Sequence, residues 1–152
     1  MNGTLIIGYG NALRGDDGAG YLAAELLRER IHDANVQVVS AQQLTPEMVE
    51  PISRARQVIF MDSSVVGKAG KVNRIPVRPA PACSRFTHSA TPETLLAGAQ
   101  ALYGNTPEAV HYTIPGMFFE VGGELTPSVR RAVEGLVADL VALLDATAHD
   151  TV

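Results

Sequence analysis

Short apolar runs and amphipathic stretches alternate along the chain. Thr4-Leu5-Ile6-Ile7-Gly8-Tyr9 is a compact apolar run stopped by glycine, which predicts a buried strand. From Asp16 to Arg30, Leu22, Leu26 and Leu27 recur at helical spacing with Glu25, Arg28 and Glu29 between them. Val36–Val39 predicts a second strand. Gln57–Met61 predicts a third, apolar at successive positions and so covered on both faces. A later strand spans Val110–Ile114. The last helix is the most regular element, with Val129, Val133, Leu136, Leu140 and Leu144 on one face. Thr45-Pro46-Glu47, Thr91-Pro92-Glu93 and Thr126-Pro127-Ser128 each place a capping hydroxyl before a proline, a helix-start signal. Thr106-Pro107-Glu108 has the same form, but a strand follows too soon, so it reads as a loop.

The order β-α-β-α-β, an irregular stretch, then α-β-α predicts a three-layer α/β/α fold around a twisted, mostly parallel five-stranded sheet. The gap between Asp62 and the next strand candidate, Lys71–Val77, is too short for a crossover helix. It predicts a hairpin-like return and one antiparallel strand. Residues 1–152 read as a single domain: no repeat, low-complexity tract or linker interrupts them.

Composition narrows the function. Twelve Lys and Arg against sixteen Asp and Glu give a net charge of −4, so the chain has no basic excess to hold a phosphate backbone, and no nucleic-acid partner is expected. No apolar run is long enough to span a membrane, and the first residues lack the basic start of a signal peptide. A cytoplasmic protein without a membrane partner is the expectation. The one cysteine, Cys83, can form neither an internal disulfide nor a cysteine-rich zinc site, and reads as an inert small residue.

Ligands of open α/β sheets bind beyond the carboxyl ends of the strands. There the sequence places Gly8-Tyr9-Gly10-Asn11 through Asp16-Asp17-Gly18 after the first strand and Asp62-Ser63-Ser64 after the third. Phe86-Thr87-His88-Ser89 precedes the third helix. A dinucleotide fingerprint fails, because its third glycine position holds Leu13 and two aspartates at a helix start repel a pyrophosphate. Phosphate-loop, zinc-protease and serine-elbow patterns are absent. Each candidate also has a plain structural role open to it. Asp16 and Asp17 can cap a helix, Asp62 can cap a turn, and Gly8 and Gly10 can form a tight turn. His32, His111 and His149 read as surface histidines. Two carboxylate clusters and one imidazole thus gather at one edge, an oxygen–oxygen–nitrogen set that suits a divalent transition metal with open coordination positions.

Gly8-Tyr9-Gly10-Asn11, Leu13 and Asp16-Asp17-Gly18-Ala19-Gly20 resemble the N-terminal motif of the hydrogenase maturation proteases. The resemblance continues through Val58–Asp62, His88-Ser89 and Leu125-Thr126-Pro127. It implies an endopeptidase that removes a C-terminal extension from a nickel-loaded [NiFe] hydrogenase large-subunit precursor. It also implies that Asp17, Asp62 and His88 are the metal-facing, catalytic trio. Nickel is then carried by the substrate, and Cd or Zn can occupy the same site. Either the metal is a recognition handle, or it polarises the scissile carbonyl or activates a water. With no serine or cysteine nucleophile beside a base, attack by water with a carboxylate as base is the expected route. Gly8, Gly10, Asn11, Asp16, Gln42 and Gln43 are the expected substrate contacts. The family's acidic, glycine-rich turn after the second strand is here Ser40-Ala41-Gln42-Gln43-Leu44, which points to altered substrate recognition. Two other readings stand beside this one: a non-catalytic, metal-dependent chaperone that binds the precursor, and a small-molecule hydrolase.

Overall fold

The computed structural model describes residues 3–81 and 90–150, without the side chains of 147–150. His88 and Cys83 fall outside the described residues, as does the side chain of His149. Strands β1 (Thr4–Tyr9), β2 (Val36–Ala41), β3 (Gln57–Ser64), β4 (Asn73–Pro76) and β5 (Glu108–Pro115) form one sheet in the order β2-β1-β3-β5-β4. Four strands run parallel; β4 lies antiparallel to β5. The helices are α1 (Ala19–Arg30), α2 (Val49–Arg54), α3 (Pro92–Tyr103) and α4 (Pro127–Asp150).

The period of two along the strands sorts two cores. Ile6, Ile59, Met61 and Ile114 face α1 and α4, where Val129, Val133, Leu136, Leu140 and Leu144 are all buried as the last helix's pattern predicts. Leu5, Ile7, Val58 and Phe60 face α2 and α3. This is the expected three-layer arrangement. Its consequence for function lies at β1. The connection from β1 to β2 carries α1 on one face, and the connection from β2 to β3 carries α2 on the other. The carboxyl ends of β1 and β3 therefore diverge at a topological switch point, where open sheets leave a crevice.

Three local expectations are corrected. The antiparallel strand is present, but β4 forms no hairpin with β3, because β5 lies between them. The segment from Asp16 enters as a 3₁₀ turn, Gly15–Gly18, and the α-helix begins only at Ala19. That helix meets the sheet through Gly20, Ala23, Ala24 and Leu27, with Leu22 and Leu26 on its flanks. Of the three Thr-Pro starts, only Thr91 caps its helix, in a reciprocal box with Thr94. Thr45 makes no side-chain cap, and Thr126 turns its hydroxyl to Asp16.

Candidate metal-facing site at the sheet edge

The loop after β1 brings Asp17 to the switch point. Gly8 permits this by packing: a Cβ there would lie 2.2 Å from the Gly20 carbonyl oxygen and 2.6 Å from the Ala24 side chain, so α1 would be driven off the sheet. Gly10 adopts φ +145°, and a Cβ on it would lie 2.1 Å from the Asp17 carbonyl oxygen. Both glycines are buried. They serve the close turn that carries the chain from β1 to Asp17.

Asp16 and Asp17 are adjacent in sequence and opposite in function. The Asp16 side chain is 0% exposed. Its Oδ2 accepts the Met117 and Phe118 N–H groups at 2.9 and 3.1 Å, and its Oδ1 accepts the Thr126 N–H at 2.8 Å. The Thr126 hydroxyl adds contacts of 3.1 and 2.9 Å to the two oxygens. Burial pushes this carboxyl up, but the hydrogen bonds from Met117, Thr126 and Phe118 outweigh it and hold the group below the usual carboxylate range. Asp16 is therefore a staple between the 3₁₀ turn and the 116–126 segment. It has no oxygen free for a substrate, and its expected substrate contact is withdrawn.

Asp17 is half-buried. Its Oδ2 accepts the Asn11 N–H at 3.0 Å and its Oδ1 accepts the Ser63 hydroxyl at 3.1 Å, so β3 and the β1 loop hold it in common. Asp62, near the end of β3, is also half-buried and projects on the face opposite Ser63. Burial is the main cause that raises its pKa, to about 6. The Asp17 carboxylate adds to the rise, while hydrogen bonds from Tyr9 and the Ser63 backbone oppose it. The two carboxylates thus feel each other across the end of β3. Among the described residues no group of three His, Cys, Asp or Glu side chains could hold a metal. Two carboxylates at the end of one strand are donors of the kind a hard or borderline divalent cation takes, with its remaining positions left to other donors.

The raised Asp62 pKa has a stability consequence. The folded chain keeps this proton to about pH 6, whereas an unfolded carboxyl loses it near pH 4. Its contribution is present below the unfolded value and is lost as pH rises through 6. Asp62→Asn is expected to gain stability relative to the parent between pH 4 and pH 7; urea melts at the two pH values check this.

His111 is corrected: it is not a surface residue. It is half-buried on β5, stacked on Tyr9 and edge-on to Phe60. Burial lowers its pKa, and the charge of Glu93 opposes that. A period-two count could have found it, because His111 alternates with Val110, Tyr112 and Ile114, which face the α1/α4 core. Asn11 bonds the Leu13 N–H with its side chain. Gln42 and Gln43 are exposed just past β2, two strands from Asp62. His32 is exposed as expected.

Exposed apolar side chains rim the same edge: Leu13 (73%), Val65 (77%), Val66 (74%), Met117 (65%) and Val121 (73%). Their loops are tied together, since Gly122 donates to the Leu13 carbonyl and Gly116 donates to the Ser64 carbonyl. An apolar cluster of this kind marks a macromolecular contact more often than a small-molecule site. At the opposite, amino-terminal edge lies a cleft of about 750 Å³ lined by Thr4, Asn35, Arg54 and Asn105. It contains no carboxylate or imidazole among its lining residues, and so lacks the donors of the carboxyl edge.

The architecture is an open, mixed α/β sheet with its acidic residues at the switch point. Solved structures with the same architecture include the [NiFe] hydrogenase maturation protease HycI from Thermococcus kodakarensis KOD1. It matches with a TM-score of 0.79 and 20% identity over 95% of this chain and 93% of that one. The hydrogenase maturating endopeptidase HybD from E. coli gives 0.75 and 20% over 97% and 94%. The hydrogenase 2 maturation peptidase from a Thaumarchaeota archaeon gives 0.70 and 23% over 95% and 99%. No protein-family profile and no curated protein sequence matches the chain. The fold is that of the hydrogenase maturation proteases. No described helix is long and apolar enough to cross a membrane.

Proposed function

We propose that this chain is a cytoplasmic endopeptidase that removes a C-terminal extension from a nickel-loaded [NiFe] hydrogenase large-subunit precursor. The observation that supports the reading is that Asp17 and Asp62 both stand at the carboxyl edge of a maturation-protease fold, while Asp16 is withdrawn into the structure. The nickel belongs to the substrate. Asp17 and Asp62, with His88 from the segment before α3, would offer it two carboxylates and an imidazole. A desolvated carboxylate such as Asp62 is also suited to take a proton from an attacking water. The apolar rim supports a protein substrate over a small molecule.

The test is the intact mass of the precursor after incubation with this protein, with and without nickel loaded. Loss of a C-terminal peptide from the nickel-loaded form alone supports the reading. Binding without any loss would convert the protein into a non-catalytic chaperone of the same partner. A second expectation concerns the rim. Burying an apolar side chain contributes about 1.5–3 kcal/mol, and each 1.4 kcal/mol is about tenfold in affinity. Leu13→Ser is therefore expected to raise KM for the precursor by roughly 10–100-fold while kcat stays within about twofold. Initial-rate kinetics on purified precursor check this.

A further inference from the structure

The Tyr9 hydroxyl is a polar group of the Gly8–Asn11 turn that the packing does not explain. Tyr9 closes β1 on the face of Leu5 and Ile7, where the α2/α3 core asks only for apolar surface. A phenylalanine would meet that demand, so the hydroxyl needs a separate reason. Strand register supplies one. Gly8 pairs with Met61, so Tyr9 lies beside Asp62; Phe60 pairs with His111 on the next strand. The Tyr9 hydroxyl lies 3.4 Å from His111 Nε2, and the β1–β3 register sets its ring beside the Asp62 carboxyl. The two rings stack with centroids 6.2 Å apart and an interplanar angle of 22°. Phe60 closes the far side of the imidazole edge-on, with centroids 6.3 Å apart.

A phenol has one proton to donate, and an ionised carboxylate can only accept. With Asp62 ionised, the Tyr9 proton goes to Asp62, and the phenolic oxygen is left to accept from His111 Nε2–H. The order of donation, from His111 to Tyr9 to Asp62, is then fixed along the three strands. We propose that Tyr9, itself held by His111, is a positioning residue that fixes the rotation of the Asp62 carboxylate, occupying one oxygen so that the other is presented to a divalent cation. The proposal rests on the reading of Asp17 and Asp62 as metal-facing groups. Partners that orient a metal-facing side chain in this way commonly contribute 10–100-fold to affinity.

Calorimetric titration of the full chain with Cd²⁺, which needs no precursor, tests it. Tyr9→Phe keeps the ring and its stack and removes only the hydroxyl. It is expected to weaken Cd²⁺ binding by about 10–100-fold with an unchanged circular dichroism spectrum. His111→Phe keeps an aromatic ring and removes the donor, and is expected to weaken binding by a smaller factor. Placed in an Asp62→Asn background, Tyr9→Phe should cost no further affinity, because its effect travels through that carboxylate. Parental affinity in Tyr9→Phe overturns the proposal. So does an equal loss in the Asp62→Asn background, which would mark a general loosening. If the parent chain does not bind Cd²⁺, the metal-facing reading of Asp17 and Asp62 falls and this proposal falls with it. If the parent binds and Tyr9→Phe matches it, only the role of Tyr9 is lost.

Discussion

Asp17→Asn is expected to leave the fold intact and to reduce precursor processing by about 10³-fold or more. The amide can occupy the same place. Its oxygen can accept the Asn11 N–H, and its NH₂ can donate to the Ser63 hydroxyl, so both contacts of the parent carboxylate survive. The negative charge does not survive. A divalent cation held at the switch point would lose an anionic ligand while Asp62 remained, and a metal-centred interaction of this type contributes several kcal/mol, about 10³-fold per 4 kcal/mol. The melting temperature should stay within about 2 °C of the parent, because under 1 kcal/mol of folding energy is at stake. Single-turnover cleavage followed by intact mass reads the first effect, and differential scanning calorimetry the second. Parental processing by a folded Asp17→Asn protein would remove Asp17 from the site and leave the fold assignment untouched.

The parts of this architecture that the sequence made legible are those with local causes. β1 and β3 are buried on both faces, so their apolar runs are continuous. α4 repeats its apolar face over about four turns in Val129, Val133, Leu136, Leu140 and Leu144. The placement of β4 had no local cause. Its partner β5 lies more than thirty residues later, and the turn through Gly67 and Gly70 carries the chain past the slot that β5 fills; Gly70 is bonded to the Pro115 carbonyl. The site divides in the same way. Asp17 follows β1 and Asp62 lies near the end of β3, so both could be placed on the carboxyl edge by topology alone. The separation of Asp16 from Asp17 depends on a 3₁₀ turn that sends adjacent side chains in different directions, and on Thr126, which lies 110 residues away. His111 passed for a surface residue because the residue type was weighed without its place in the period-two pattern of β5. Its partners Tyr9 and Phe60 come from two other strands.

Asp16→Asn should show the opposite profile to Asp17→Asn: a large loss of stability with chemistry that recovers wherever the chain is folded. One amide oxygen cannot replace two carboxylate oxygens that accept from Met117, Phe118 and Thr126 on separate sides. Whichever way the amide is turned, its NH₂ faces at least one backbone N–H, and buried donors are left without an acceptor. Each such donor costs about 1–3 kcal/mol, so a total near 2–5 kcal/mol is expected, or roughly 5–15 °C in melting temperature for a domain of this length. The pH dependence fixes the cause. The Asp16 carboxyl lies below its ordinary range when folded, so its stabilisation is fully present above the unfolded value near pH 4 and is lost as pH falls through the folded value. The stability gap between parent and Asp16→Asn should therefore be widest near neutrality and should close in acid; chemical denaturation across that range measures it. A gap that stays constant into acid would mean that the amide acts by shape, and the carboxylate staple between the 3₁₀ turn and the 116–126 segment would not be what holds this edge together.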